Sequence, residues 1–235
     1  MSVHIIKMTF SDLIKNRRLL LDIFIRGVLS LLFTISASQY FRNALHQFQE
    51  LDFSHPNIKT FSQALSLLAI GSYMFMLACL WILRLKPVNK FAGIWPSIAA
   101  FLGSFIIMGL VWIKPCYTLP PAVEIMASCL ILLGNILGVI TLVHLGRSFS
   151  ILPEGRRLVK TGPYQYVRHP LYLAEAFGVL GSLIVFFSPL AVILVFVQTV
   201  FQLIRMHYEE RVLSETFPEY SDYVRQTARL IPGIY

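Results

Sequence analysis

The chain has 235 residues, of which 56% are hydrophobic and 14% charged, and its mean hydropathy is +0.68. Soluble globular domains carry about a quarter charged residues. This composition excludes an ordinary soluble domain and indicates an integral membrane protein. The formal net charge is +8, and the placement of the basic residues relative to the apolar runs explains it.

Four apolar runs are each long enough to cross a bilayer as one helix. The first run follows basic residues, as a signal peptide would. Because it is longer than a typical signal core, we predict an uncleaved span. The four runs are Leu19–Tyr40, Phe61–Leu83, Ile94–Ile113 and Ala122–Val143.

A fifth apolar stretch, Leu171–Met206, is too long for one crossing and is interrupted by Ser188-Pro189. Because proline lacks a backbone N–H and clashes with the preceding turn, we predict two helices, Leu171–Phe187 and Leu190–Met206. Each is short for a full crossing, so a hairpin that only dips into the membrane fits as well. The predicted fold is an all-α integral membrane helical bundle with five to six transmembrane segments, the last two forming a helical hairpin.

Basic residues are distributed unevenly about these runs. Because cytoplasmic loops carry an excess of Lys and Arg, we predict that both termini and the loop after the fourth run are cytoplasmic. This bias and anionic lipid headgroups explain the net charge without nucleic-acid binding. Sixteen of the 20 basic residues lie on the predicted cytoplasmic side: Lys7, Lys15, Arg17, Arg18, Arg84, Lys86, Lys90, Arg147, Arg156, Arg157, Lys160, Arg168, Arg205, Arg211, Arg225 and Arg229.

Several further features are interpreted as structural. Asp22 and Arg26 lie four residues apart, where they can pair on one helix face. Gly134 and Gly138 suit a close helix–helix approach. The three cysteines have no metal-type spacing and are predicted to be buried packing residues, with neither a disulfide nor a metal site: Cys79, Cys116 and Cys129.

The stretch Gly162–Ala176 combines polar and aromatic residues with the start of an apolar helix. Its Gly-Pro pair predicts a turn, and Pro170 suits the first turn of a helix. Arg168 and His169 then lie at the positive end of the helix dipole, where a carboxylate or phosphate is favoured. The alternative is a loop that Arg and Tyr side chains anchor at the membrane interface.

Glu209 and Glu210 follow Arg205 at the end of the last apolar run. Carboxylates at a helix C-terminus are unfavourable with respect to the dipole, so a cation must compensate them. That cation is Arg205, Arg211 or a bound cationic cofactor. The alternative to a functional site is that Arg205 and Glu209 form a purely structural salt bridge at the membrane boundary.

The order of these motifs over roughly residues 144–235 resembles the isoprenylcysteine carboxyl methyltransferase family, and the phospholipid methyltransferases share much of it. The resemblance divides the chain into a substrate-side region of transmembrane helices, residues 1–120, and a catalytic region with a cytoplasmic cofactor pocket, residues 121–235. The matching elements are Leu158-Val159, Gly162-Pro163-Tyr164, Arg168-His169-Pro170-x-Tyr172, Ser188-Pro189, Arg205-x-x-x-Glu209-Glu210, Leu213, Tyr220-x-x-Tyr223 and Pro232.

The resemblance implies a membrane methyltransferase that uses S-adenosylmethionine. It gives Arg205 a catalytic role and makes Arg205 and Arg168 the contacts to the methyl acceptor. Two departures are Arg156-Arg157, where the family carries a His, and Ala174, where Gly is common; the first argues against a strict isoprenylcysteine acceptor. The implied cofactor-binding residues are Leu158, Val159, Tyr164, His169, Pro170, Leu171, Tyr172, Glu209 and Glu210.

The resemblance implies a methyl acceptor that is lipophilic or lipid-linked and that enters the site from the bilayer. A prenylcysteine-like carboxylate is already a nucleophile that Arg205 can orient. A phospholipid amine needs a base, for which Glu210 or His207 is available. A small apolar thiol or acid stays open, as does the oligomeric state. Two other classes remain: an NADPH-dependent membrane sterol or steroid reductase, which has related motifs, and a non-enzymatic membrane scaffold.

Overall fold

The computed structural model describes residues 17–51, 57–90 and 94–233. Within these ranges most of the chain is helical, with short 3₁₀ segments at Ile106–Trp112, Gly146–Ser148 and Gly162–Gln165. Strands β1 (Asn89–Lys90) and β2 (Glu154–Gly155) form a short antiparallel pair. The α-helices are α1 (Arg17–Gln49), α2 (Ile58–Leu83), α3 (Ile94–Phe105), α4 (Pro121–Leu145), α5 (Pro170–Val185), α6 (Pro189–Thr216) and α7 (Tyr220–Gln226).

Helices α1, α2, α4 and α6 are long and apolar enough to cross a membrane, whereas α3 and α5 are shorter apolar helices. Many large apolar side chains are exposed on the bundle surface; Phe24 and Phe196 are 68% and 69% exposed. Such a surface is stable only in lipid. The predicted all-α membrane bundle is confirmed.

Two predicted helices differ in extent from the observed ones. The third is α-helical only to Phe105 and continues as 3₁₀ turns to Trp112, so it is too short to count as a full span. The last helix continues past Met206 to Thr216 and has 28 residues. Our expectation that it is short for a crossing is therefore wrong. Apolar content marks where the membrane ends, whereas this helix ends a further ten residues on, after a charged stretch with high helix propensity.

The turn between α5 and α6 has the predicted hairpin form. Pro189 occupies the first turn of α6, and the Ser188 side chain accepts a hydrogen bond from the Ala191 backbone N–H at 3.1 Å, capping the helix. The two helices pack mainly on other elements, α5 against α4 and α6 against α3. Helix α2 packs against both α1 and α4. The hairpin therefore joins the pair α4–α5 to the pair α3–α6.

Close packing at two glycines is also confirmed. A Cβ on Gly134 would lie 2.6 Å from the Gly178 backbone N and 2.7 Å from the Ala174 backbone O, so α4 and α5 touch through their backbones. A Cβ on Gly138 would lie 2.8 Å from the Tyr73 ring of α2. These small residues allow three helices to meet at short distance.

The three cysteines are less buried than predicted. Cys79 is half-buried, whereas Cys116 and Cys129 are exposed. Our prediction of buried packing residues is wrong for the latter two. Cys116 lies in the loop before α4, and Cys129 lies on a face of α4 that other helices leave uncovered. Hydrophobic surroundings in the sequence do not distinguish a core position from a lipid-facing one.

Charged groups separate to the two ends of the bundle. At one end Asp22 accepts from Arg26 Nε at 2.7 Å, as predicted, and also from Arg84 Nη2 at 2.8 Å. Arg147 Nε donates to the Leu83 backbone O at 2.8 Å at this same end. Lys59 pairs with Glu124 at the opposite end. Lys7, Lys15 and the terminal Ile234-Tyr235 lie outside the described residues.

Candidate functional site

A cavity of about 110 Å³ opens at the basic end of the bundle. The loop between α4 and α5, the first turn of α5, the end of α6 and helix α7 enclose it. Pro170 and Glu210, two of the eleven predicted site residues, are not among the residues that line the cavity. The remaining nine do line it: Leu158, Val159, Tyr164, Arg168, His169, Leu171, Tyr172, Arg205 and Glu209.

The predicted turn positions Tyr164. Gly162 adopts φ +62° and packs so closely on the His144 ring that a Cβ there would collide with it. Tyr164 is 8% exposed, and its backbone O accepts a hydrogen bond from Tyr223 Oη at 2.7 Å. Burial, together with the charge of Glu209, raises the pKa of Tyr164 well above its usual range. Burial also raises the pKa of Tyr223 to about 12. Both phenols are therefore uncharged near neutral pH.

Arg205 is held in one orientation by three helices. Its Nε donates to Glu209 Oε1 at 3.0 Å, and its Nη1 donates to Ser104 Oγ of α3 at 2.8 Å. The guanidinium carbon lies 5.0 Å from the centroid of the Tyr172 ring, within cation–π range. Tyr172 Oη donates to Glu209 Oε1 at 2.6 Å. The predicted Arg–Glu salt bridge exists, and it forms part of the cavity wall.

Glu210 instead connects the loop before α5, at Arg168 and His169, to the C-terminal segment that follows α7 (residues 227–233). Its Oε1 accepts from Arg168 Nε at 2.9 Å and lies 3.2 Å from His169 Nε2, while Oε2 pairs with Arg229 Nε at 3.1 Å. The backbone N–H groups of Arg168 and His169 donate to the carbonyls of Ala228 and Arg229 at 2.9 and 3.1 Å. Glu210 thus fixes the wall of the cavity from outside.

Arg156, which departs from the family motif and was not predicted as a site residue, lines the cavity and is 6% exposed. Its Nη2 donates a hydrogen bond to Glu154 Oε2. Among the described residues, Arg156 Nε and Nη1 and the Ser148 hydroxyl are buried without a hydrogen-bond partner. Burial, and then the nearby charge of Arg156, lowers the pKa of Arg84. Buried unpaired donors of this kind favour an anionic ligand group.

Glu175 was also missed, although a signal for it existed. It is the only acidic residue in Leu171–Met206, and a carboxylate in a membrane helix is costly and usually functional. Tyr73 Oη donates to Glu175 Oε1 at 3.1 Å, and Gln202 Nε2 donates to Oε2 at 2.6 Å. Glu175 therefore links α2, α5 and α6 one helical turn beyond Tyr172.

Fold and site together define a multi-pass integral membrane protein with a polar, aromatic and charged cavity at one end of its helical bundle. Residues 126–215 match the model of the isoprenylcysteine carboxyl methyltransferase (ICMT) family. The resemblance predicted from the motifs is thereby confirmed for this part of the chain.

Two curated relatives each match slightly less than half of the chain. The nickel-cobalt-cadmium resistance protein NccN of Alcaligenes xylosoxydans xylosoxydans is 36% identical over 112 residues, which are 46% of this chain and 52% of that protein. The protein-S-isoprenylcysteine O-methyltransferase of Saccharomyces cerevisiae is 33% identical over 117 residues, 47% of this chain and 49% of that protein. The chain thus spans about half the length of these relatives.

A solved structure of the eukaryotic intramembrane Ras methyltransferase ICMT is also similar. The match covers 89% of this chain and 98% of that chain, at 19% sequence identity and a TM-score of 0.43.

Proposed function

We propose that this protein is an S-adenosylmethionine-dependent membrane methyltransferase that methylates a lipophilic acceptor, with a prenylcysteine-like carboxylate as the first candidate. The observation that carries the proposal is the arrangement of Arg205, Tyr172 and Glu209 in one cavity at the end of an apolar bundle. The family match over residues 126–215 and the name of the yeast relative support the same class of reaction.

The residues that line the cavity fit S-adenosylmethionine, which carries a sulfonium cation, a carboxylate and an adenine. The Glu209 carboxylate and the faces of Tyr172 and Tyr164 suit a cation. The unpaired donors of Arg156 and Ser148 suit a carboxylate. Apolar surface for the adenine comes from Leu158 and Val159. When bound, this donor supplies a methyl group activated by its attachment to a positively charged sulfur.

Transfer to a carboxylate needs alignment more than acid–base catalysis. A new O–C bond forms as the C–S bond breaks, so a carboxylate and a sulfonium become a neutral ester and a neutral thioether, and no proton moves. Arg205 would orient the acceptor carboxylate through charge-assisted hydrogen bonds. Because Glu209, Ser104 and Tyr172 fix the guanidinium in place, Arg205 offers a preorganised contact, and preorganisation supplies most of the gain in such a step.

A phospholipid amine is the second candidate acceptor, and the two bases considered from the sequence are poorly placed for it. Glu210 is engaged by Arg168, His169 and Arg229. His207 is exposed and is not among the cavity-lining residues. These positions favour an acceptor that is already deprotonated. The acceptor would enter sideways from the bilayer, while the soluble donor would enter from the basic end, which we take to be cytoplasmic.

The test is calorimetric titration of S-adenosylmethionine into the full-length protein in detergent, with NADPH as the parallel ligand. We expect saturable binding of S-adenosylmethionine that Glu209→Gln weakens strongly. Glu215→Gln is the matched control, because Glu215 lies on the same helix but is exposed and forms a local ion pair with Arg211. Binding of NADPH alone would assign the protein to the reductases, and binding of neither ligand would contradict the proposal.

A further inference from the structure

The segment that follows α2 holds both ends of a loop in the cavity wall. Backbone N–H groups of this segment donate to the Arg147 carbonyl at 2.8 Å and to the Gly155 carbonyl at 2.7 Å. The residues that follow these two carbonyls, Ser148 and Arg156, line the cavity. A segment that lies outside the family match over residues 126–215 therefore fixes two residues of the site.

Arg84 and Trp81, at the end of α2, pack against the same loop. The Arg84 guanidinium carbon lies 4.1 Å from the centroid of the Trp81 ring, and that ring meets the Phe149 ring edge-on with 6.4 Å between centroids. Burial, and then the charge of Arg156, lowers the pKa of Arg84. The two guanidinium groups are therefore close enough to interact, although Arg84 does not itself line the cavity.

The buried side chains of this cluster have N–H and O–H groups that no neighbour accepts. Arg84 and Arg156 are 8% and 6% exposed. Because buried polar groups are normally hydrogen-bonded, and because Ser148 and Arg156 line the cavity, a ligand with acceptor oxygens suits this part of the wall. Among the described residues, the buried atoms without a hydrogen-bond partner in this cluster are Trp81 Nε1, Arg84 Nε, Ser148 Oγ, Arg156 Nε and Arg156 Nη1.

The charges of the cluster favour an anion. Asp22 pairs with Arg84 at 2.8 Å and with Arg26 at 2.7 Å. Arg156 pairs with Glu154. Among these five described residues, three guanidinium groups face two carboxylates, which leaves an excess of one positive charge. Because an uncompensated buried charge is costly, one carboxylate group of a ligand at Arg156 would stabilise the cluster.

We propose that Ser148 and Arg156 bind the carboxylate of S-adenosylmethionine and that Arg84 strengthens this contact as a positioning residue. This inference rests on the proposed function and specifies how the methyl donor is recognised. Arg84 acts through the loop against which it packs and through its charge, which adds to the positive potential at Arg156. Because the carboxylate takes no part in the methyl transfer, the pocket sets the affinity for the methyl donor and its orientation.

Two ligands that differ only in the carboxylate test the inference. S-adenosylmethionine and its decarboxylated form share the sulfonium, the ammonium and the adenine, and each is titrated into the full-length protein in detergent by calorimetry. We expect the decarboxylated form to bind about tenfold or more weakly, as for loss of a hydrogen bond between charged groups. In Arg156→Gln the two Kd values should become equal. Lys160→Gln is the matched control, because Lys160 is an exposed cation of the same loop.

Variants of Arg84 separate recognition from structural support. Arg84→Gln should lower the preference for S-adenosylmethionine over the decarboxylated form, because the positive potential at Arg156 falls. Arg84→Lys keeps the charge and should retain most of the preference. In the double variant Arg84→Gln/Arg156→Gln no preference remains to be lost, so the two substitutions are not additive. If Arg84→Gln weakens both ligands equally, Arg84 only supports the structure and the inference is wrong.

Asp22→Asn gives a prediction of opposite sign that does not depend on the folding of Arg84→Gln. The substitution removes one of the two carboxylates and leaves Arg84 and Arg156 in place. The excess positive charge rises, so the preference for S-adenosylmethionine over its decarboxylated form should increase by about twofold or more. An unchanged or reduced preference in Asp22→Asn would contradict the electrostatic role of Arg84.

Failure of this inference and failure of the proposed function give different results. If the wild-type protein binds neither ligand, the proposed methyltransferase itself is contradicted. If the wild-type protein binds both ligands with equal affinity, the use of S-adenosylmethionine stands and the carboxylate pocket alone is overturned.

Discussion

Arg205 and Glu209 lie one turn apart on α6, and the guanidinium Nε donates to Glu209 Oε1 at 3.0 Å while both side chains line the same cavity. The arginine is 4% exposed, so its charge has little water to stabilise it. Glu209 and the Ser104 hydroxyl compensate for that loss. The pair therefore supplies a fixed cation and a fixed carboxylate side by side, which is what two oppositely charged reactants require.

Replacing Arg205 by Lys should impair methyl transfer more than the binding of S-adenosylmethionine. Lysine keeps the positive charge but cannot donate to Glu209 and Ser104 simultaneously with a planar fork. We expect kcat/KM for a carboxylate acceptor to fall by about 100-fold, from loss of about 3 kcal/mol of charge-assisted hydrogen bonding. Labelled methyl transfer measures this effect. Arg211→Lys, an exposed position on the same helix, is the control, and an equal loss of donor affinity in Arg205→Lys would contradict the assigned role.

Removing the Tyr172 hydroxyl should weaken the binding of S-adenosylmethionine without unfolding the protein. Tyr172→Phe keeps the ring beside Arg205 but abolishes the 2.6 Å hydrogen bond to Glu209. A hydrogen bond to a charged group contributes about 1.5–3 kcal/mol, so the Kd for S-adenosylmethionine should rise about tenfold or more. Tyr166→Phe serves as control because Tyr166 is 71% exposed. Identical calorimetric curves for the two variants would be evidence against the prediction.

Glu210→Gln should loosen the C-terminal segment. The substitution removes the charge that attracts Arg168 and Arg229 and weakens the contact with the His169 ring. We expect a loss of about 1–3 kcal/mol in the free energy of local opening. Hydrogen exchange at the Arg168, His169 and Ala228 amides should accelerate, while exchange in α2 and α4 stays unchanged. Faster exchange throughout the bundle would instead indicate a global defect.

Gly134→Ala should destabilise the contact between α4 and α5. The new methyl group would lie 2.6 Å from a backbone nitrogen of Gly178 and 2.7 Å from the carbonyl oxygen of Ala174, and backbone atoms cannot move aside cheaply. Overpacking of this kind costs about 1–3 kcal/mol. Thermal unfolding in detergent measures the change. The matched control is Gly178→Ala on the facing helix, because an added Cβ there meets nothing within 4 Å.

Alkaline pH should weaken the wall formed by the C-terminal segment. Burial raises the pKa of Tyr223 to about 12, above the value of about 10 for an exposed phenol. The contribution of the uncharged Tyr223 to the stability of the folded state is thus fully present below about pH 10 and is lost as the pH rises to about 12. Phenolate absorbance measured against pH should show Tyr223 ionising in this late phase, identified by its loss in Tyr223→Phe. Ionisation of Tyr223 near pH 10 would contradict the burial argument.

Much of the site was predictable because the motif residues are local in sequence. Gly162-Pro163 and Pro170 set the loop and the start of α5, and Arg205 and Glu209 share one face of α6 through the 3.6-residue period alone. Glu175 stands out in the sequence as a lone carboxylate in an apolar run, but its partner Tyr73, 102 residues away in sequence, could not be predicted. The ion pair of Glu210 with Arg229 could not be predicted for the same reason, since Arg229 approaches only when the C-terminal segment folds back.

The amino-acid sequence by itself determined that this protein is a helical membrane bundle, where its apolar helices begin and which half carries the motifs. These properties follow from hydropathy, proline positions and spacing along one chain, each of which is a local quantity. Only the tertiary structure decided which charges share a buried environment. Among the described residues, Arg156 has unpaired donors, Glu210 contacts Arg168, His169 and Arg229, and Glu175 is hydrogen-bonded to Tyr73 and Gln202. The electrostatics of a buried group depend on every neighbour within a few ångströms, and those neighbours come from distant parts of the chain.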